Sequence, residues 1–249
     1  MAKLKKYGIA LLKYAVLIVV TLVTLIPIIS VILSSFKTKI EYLTTGRLVL
    51  PENWLNFENF VTLFKHGRVL TGLMNTGIII VVTLITSTLF ATMVAYCITR
   101  FEFTGKRLIE KMYLLASFVP GVIVHLIIFK IFAGCNLVDN LMSIVILYSG
   151  VDVVSLYLYK QYISQIPLSL DEAAMVEGCS YFNIYRTIIL PLLKPAITTA
   201  AILKVTYIYN DFYTAFLYLP SEDKGVMSTI FYRFMGPYSS NWIVIAAGI

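Results

Sequence analysis

Four polar side chains interrupt an apolar run in the last third of this 249-residue chain: Lys204, Tyr207, Asn210 and Asp211. Lys204, Tyr207 and Asp211 are spaced i, i+3 and i+7, one face of a helix, with Asn210 adjacent. Ammonium, carboxylate and amide groups can take hydroxyls, and a tyrosine ring can stack on the apolar face of a sugar. Lys204 comes ten residues after Lys194, deep in the run, where a charge in hydrocarbon costs about 2.5–3.5 kcal/mol. It therefore needs a partner or water. Asp211 is about 10 Å away along a helix axis, too far for a direct pair without bending. Asp152, in the preceding apolar block, is a candidate partner. The same residues allow two uses: a wet path for a polar solute, or a polar clamp between helices.

A second stretch, "DEAAMVEG" at 171–178, stands between two oily blocks and has the make-up of a soluble helix. Its good helix formers carry Asp171 and Glu172 near the N-terminus, where the macrodipole favours acids. Ser169 is placed to cap it, with Glu172 completing a capping box after Pro167. Gly178 is placed to take the left-handed conformation that ends a helix. Ser180 is placed to cap a second helix through "YFNIYRTIIL", which Pro191 and Pro195 interrupt. The segment is thus expected to be a folded knob. Small Ala173 and Ala174 would let another protein approach closely; the alternative is a membrane-surface helix that only caps the bundle.

Little else points to chemistry. There is no phosphate-binding G-x-x-x-x-G-K-[ST] loop, no H-E-x-x-H and no G-x-S-x-G. Cys97, Cys135 and Cys179 form no zinc or disulfide pattern and read as small packing residues, while His66 and His125 are isolated. Catalytic, metal and cofactor roles are not indicated.

The elements that must position these residues follow from composition. The chain is 59% hydrophobic and 13% charged, with mean hydropathy +0.86, against about 25% charged in soluble domains. Such a chain cannot clothe itself in polar groups, so a polytopic membrane protein is expected. Six apolar blocks appear, at roughly 11–35, 71–99, 109–133, 140–160, 195–219 and from 241 onward. The last is too short to span, and the natural chain is expected to continue. Pro27 and Pro120 predict kinks. The net charge of +7 has no long basic run behind it and suits basic cytoplasmic loops better than nucleic acid. Lys3, Lys5 and Lys6, the stretch 100–111 and the segment 161–194 are then cytoplasmic, giving six spans with both termini inside. Segments 37–70 and 220–240 are external. The whole chain, 1–249, reads as one all-α permease-like domain.

The spacing around the acidic stretch is specific. Glu172-Ala173-Ala174, Gly178, then Ile188-x-Leu190-Pro191 resembles the EAA loop of ABC-importer permeases, E-A-A-x3-G-x9-I-x-L-P, at every fixed position. Other stretches resemble the carbohydrate branch, most of all the maltose-type second permease. They are "SSFK", "LPENWLNFENF", "AYCITRFEFTGKR" and "YNDF" at 209–212, where Tyr209 stands for the family's Trp.

The resemblance implies a multi-pass subunit of a bacterial cytoplasmic membrane that imports a di- or oligosaccharide. Its expected partners are a second, related permease, a dimer of ATP-binding subunits and an external solute-binding protein. Asp171, Glu172, Ala173, Ala174, Gly178, Ile188, Leu190 and Pro191 would couple it to the ATPase. Lys204, Tyr207, Asn210, Asp211 and Asp152 would line the path. Alternatives are an ABC permease for another small solute such as a glycerol-phosphate-type compound, an ion-coupled carrier, or a non-transporting scaffold subunit. Against the carrier, six spans lack the doubled repeat usual there.

Overall fold

The computed structural model describes residues 2–236 and 240–249; the side chains of Lys3, Lys5 and Lys6 lie outside the described residues. In chain order the helices are α1 (Ala2–Ser35), α2 (Lys39–Thr44), α3 (Glu58–His66), α4 (Val69–Arg100), α5 (Lys106–Ala116), α6 (Gly121–Gly134), α7 (Leu141–Ser149) and α8 (Val153–Gln165). After them come α9 (Leu168–Val176), α10 (Tyr181–Ile184), a π-helical stretch (Tyr185–Ile189), α11 (Leu190–Leu192), α12 (Lys194–Asn210), α13 (Phe212–Tyr218), α14 (Met227–Ile230) and α15 (Trp242–Gly248). The described fold is all-helical, as the composition predicts.

Two helices are long and apolar enough to cross a bilayer unbroken, Ala10–Ser35 within α1 and Val69–Arg100, which is α4. The helix α1 runs through Pro27. The other apolar blocks are not straight rods. The α5–α6 pair bends by 102° at the break before Gly121, where Pro120 stands. The block expected at 140–160 is α7 and α8, bent by 42° across Gly150–Asp152. The block expected at 195–219 ends as a helix at Asn210 and restarts at Phe212. Before it, Tyr181–Leu192 meets α12 at 72°. Hydropathy averaged over a window cannot see such breaks, because one capping residue hardly alters the mean.

The chain divides into two compact units, residues 1–70 with 230–249, and residues 71–229. In the first, α15 packs against α1 and α3. "SSFK" and "LPENWLNFENF" meet there. Asn59 donates its amide to the carbonyls of Ser35 (2.8 Å) and Lys37 (2.9 Å). Phe36 packs against Trp54, Phe57 and Phe60. Lys37 is fully buried, its ammonium donating to Thr45 Oγ1 and the Gly46 carbonyl, both at 2.9 Å. A buried ammonium needs such acceptors.

The second unit holds two apolar cores. One joins the end of α4 (Ala91 to Ile98) to α8, α9, α10, the π stretch and the start of α12. The other joins Ile79 of α4 to Phe132, Ile144, Tyr148, Ile208, Ala215 and Tyr218. Helix α4 passes through both. Between them its buried face carries Thr83 and Ser87, and Thr86 shares a 2.6 Å hydrogen bond with Ser149. Cys97 and Cys135 are exposed and only Cys179 packs against a core, so the packing role fails for the first two.

Candidate functional site

The acidic stretch folds as a short helix, but it begins differently from the capping-box expectation. Pro167 is the N-cap, α9 starts at Leu168, and no side chain caps it. Proline's fixed φ suits a helix entrance. Ser169 therefore falls inside the first turn, where its hydroxyl has no free cap position to fill. The other end is as expected. Gly178 has φ +85°, and its N–H donates to the Met175 carbonyl (3.0 Å) while that of Cys179 donates to Ala174 (3.0 Å). This is a complete Schellman turn, and a side chain at Gly178 would strain its left-handed backbone. Ser180 caps the next helix, accepting from the Asn183 N–H at 3.4 Å.

The motif residues then sort by face. Glu172, Ala173, Met175, Val176 and Gly178 are exposed, whereas Asp171 and Ala174 are buried. Ile188 and Leu190 are half-buried against the apolar core, and Pro191 is exposed. The i→i−5 bond from the Leu190 N–H to the Tyr185 carbonyl widens the helix just before Pro191. With that wider turn, Ile184, Ile189 and Leu193 all reach the core and are fully buried.

Asp171 points inward to Arg100, the last residue of α4. The guanidinium Nε lies 3.0 Å from Asp171 Oδ2, and Nη2 donates to the Ile166 carbonyl at 2.9 Å. Tyr96 and Phe101, from "AYCITRFEFTGKR", pack on Tyr185 and Tyr181 respectively. That stretch thus seats the knob. Nearby, Lys106 donates to Glu102 (2.7 Å) and holds its exposed carboxyl below the usual carboxylate range, and Lys160 pairs with Glu110.

The polar residues of the fifth block do not lie along one helix. Asp211 stands at the break, with φ −75° and ψ 97°, and caps α13. Its carboxylate accepts from the Thr214 N–H (3.1 Å) and hydroxyl (2.6 Å) and from the Tyr148 hydroxyl. A short acidic side chain competes with the helix for backbone N–H groups, which is why the helix ends there. Asp152 does the same for α8, accepting from the Ser155 N–H and hydroxyl, both at 2.8 Å. Lys204 Nζ lies 3.2 Å from Asp152 Oδ2. Asn210 is exposed and turns its amide back to the Thr206 carbonyl at 2.8 Å.

A cavity of about 580 Å³ opens between α7–α8 and α12, lined by Tyr148, Asp152, Ser155, Lys204 and Tyr207 among others. It gathers Lys204, Tyr207 and Asp152; Asn210 and Asp211 are not among its lining residues. Sequence reasoning missed Tyr148 and Arg100. Arg100 was legible as a fixed position of the R-F-x-F-x-G pattern. Tyr148 carried no signal, because a tyrosine in an apolar run reads as core.

Apolar helices broken at polar caps, around a cavity holding an ion pair, with a folded polar knob at one end, define a membrane permease component. The chain belongs to the family described as binding-protein-dependent transport system inner membrane component, whose model matches residues 87–249. It is 30% identical over 233 residues to the probable starch degradation products transport system permease AmyC of Thermoanaerobacterium thermosulfurigenes, covering 93% of this chain and 84% of that one. It is 28% identical to the arabinooligosaccharides transport system permease AraQ of Halalkalibacterium halodurans, over 92% and 82%. The fold matches a chain of a bacterial ABC transporter involved in the import of the acidic polysaccharide alginate, at TM-score 0.83 and 21% identity, over 97% of this chain and 90% of that one.

Proposed function

We propose that this chain is a transmembrane permease subunit of an ATP-driven importer for a neutral di- or oligosaccharide, coupled to a separate ATPase through residues 168–178. It would pair with a second permease, two ATP-binding subunits and an external solute-binding protein. One observation carries the coupling reading: α9 is anchored by Asp171 and Ala174 and presents Glu172, Ala173 and Val176 outward. The half of the motif not needed for packing is the half offered to a partner.

The cavity supports the sugar reading. Its lining has an exposed tyrosine, Tyr207, for stacking, and carboxylate, ammonium and hydroxyl groups for hydrogen bonds. Its one cation, Lys204, is compensated by Asp152, so the lining offers no surplus positive charge to a phosphate-bearing solute. A neutral sugar fits that balance better. The relatives' transport of starch degradation products and arabinooligosaccharides accords with it.

The test uses E172K and G178V in the complete complex. The first reverses a charge on the outward face, where a mismatched pairing can cost several kcal/mol; the second disfavours the left-handed turn. Both variants should reach the membrane and pair with the second permease, yet lose ATPase capture or sugar uptake. Wild-type capture and uptake in both would reduce α9 to a membrane-surface helix.

A further inference from the structure

Arg100 takes no part in the outward face of α9, yet it is the most connected charge in the second unit. Its side chain is 9% exposed and that of Asp171 4%. One guanidinium joins three elements: the end of α4, which it terminates; the end of α8, through the Ile166 carbonyl; and the first turn of α9, through Asp171. We propose that Arg100 is a positioning residue that makes α4 follow the coupling helix, so that displacement of α9 by the ATPase is carried along α4. This rests on the coupling reading above.

Stability alone does not explain the pair. Taking both charges out of water offsets most of their attraction, and apolar replacements of similar volume often serve as well. The contact is also imperfect as a bond: Nε faces Asp171 without hydrogen-bond alignment, and Asp171 Oδ1 has no hydrogen-bond partner. What the arrangement provides is register. A planar fork fixes the relative position of two acceptors, which a lysine ammonium cannot do.

Helix α4 is suited to carry the motion. It has 32 residues, about 48 Å at 1.5 Å per residue. Spans built from α7–α8 and α12–α13 are broken at Asp152 and Asp211 and cannot act as rods. At its far end α4 is tied again. Asn75 donates to the carbonyls of Asp223 (3.1 Å) and Gly225 (2.9 Å), and Thr76 Oγ1 accepts from the Met227 N–H (3.0 Å). The rod thus links α9 to the segment 223–227, which the sequence reading places outside the membrane. Coupling through such a rod is reciprocal, so binding at one end should be felt at the other.

The experiment compares wild type, R100K, R100M and the apolar pair R100M/D171L in the full complex, reconstituted with its ATPase and binding protein. For each, assembled complex, basal ATP hydrolysis and hydrolysis stimulated by sugar-loaded binding protein are measured per mole of complex. R100K should assemble and keep basal hydrolysis, but lose stimulation about tenfold, with uptake lost alongside. If R100M fails to assemble, the double variant should restore assembly without restoring stimulation. Wild-type stimulation in R100K, or restored stimulation in the double variant, would overturn the proposal. So would losses that track only the amount of complex. E172K separates the two ideas: if it retains ATPase capture and uptake, the coupling reading falls; if it loses them while R100K is normal, only the role of Arg100 falls.

Discussion

Asp152 and Asp211 are built alike and matched differently. Each interrupts an apolar block, caps the next helix, and takes both the N–H and the hydroxyl of the residue three further on, Ser155 in one case and Thr214 in the other. Each then reaches across to the other block. Asp152, on the fourth, holds Lys204 on the fifth; Asp211, on the fifth, takes the hydroxyl of Tyr148 on the fourth. The local device is the same, but one cross-tie is an ion pair and the other joins a carboxylate to a neutral phenol. Charge is cancelled at Asp152 and only hydrogen-bonded at Asp211. Removing one member of the first tie strands a cation, whereas removing the phenol strands nothing of opposite sign.

That difference ranks the expected losses. D152A should be the most damaging, leaving Lys204, whose side chain is 13% exposed, without its counter-charge. A fully buried pair would cost about 3–5 kcal/mol when broken. The Asp152 side chain is 40% exposed, so solvent screening lowers the expected cost to about 1–3 kcal/mol. D152L/K204M should recover most of it, which a cycle of apparent unfolding midpoints at one heating rate would show. Y148F should cost less, about 1–2 kcal/mol for one hydrogen bond to a charged acceptor. If Y148F proved the more damaging, the contrast between the ties would be broken. Smallest should be S155A and T214A, about 0.5–1 kcal/mol each for a lost side-chain bond within a cap. Near-equal values would sharpen the comparison, locating the difference in the cross-partners alone.

A further measurement addresses the path. Cysteines at Lys204 and Tyr207 should react with small polar thiol reagents, and the extent should change when ATP is trapped on the complex. Equal inertness in both states would favour a clamp over a path.

Both breaks were written in the sequence. Asp152-x-x-Ser155 and Asp211-x-x-Thr214 are cap signals of the same kind as Ser180 before α10. Within apolar blocks, the length and oiliness of the run outweighed them. The broken backbone needs its N–H groups satisfied as much there as in water, and a carboxylate with a hydroxyl meets that need. In the knob the same rules found Gly178 and Ser180 and missed the entrance, because proline's backbone preference overrode the serine cap. The outward residues Glu172 and Ala173 were legible as motif positions. That Asp171 and Ala174 turn inward was not, since which face of a nine-residue helix is buried depends on Arg100, far away in sequence.

The π-helical stretch at Tyr185–Ile189 amounts to one residue more than an α-helix would use for that turn. Deleting any one of these five residues would let the backbone close into ordinary α-helix with its hydrogen bonds intact. Everything after it would then be indexed about 100° differently around the axis. Ile189 and Leu193 would leave the core, and Lys204 would swing away from Asp152. The segment acts as an angular gauge block between the coupling knob and the charged cavity. Its residue count is therefore under as tight a constraint as its composition, and a single-codon deletion there should be more damaging than most substitutions.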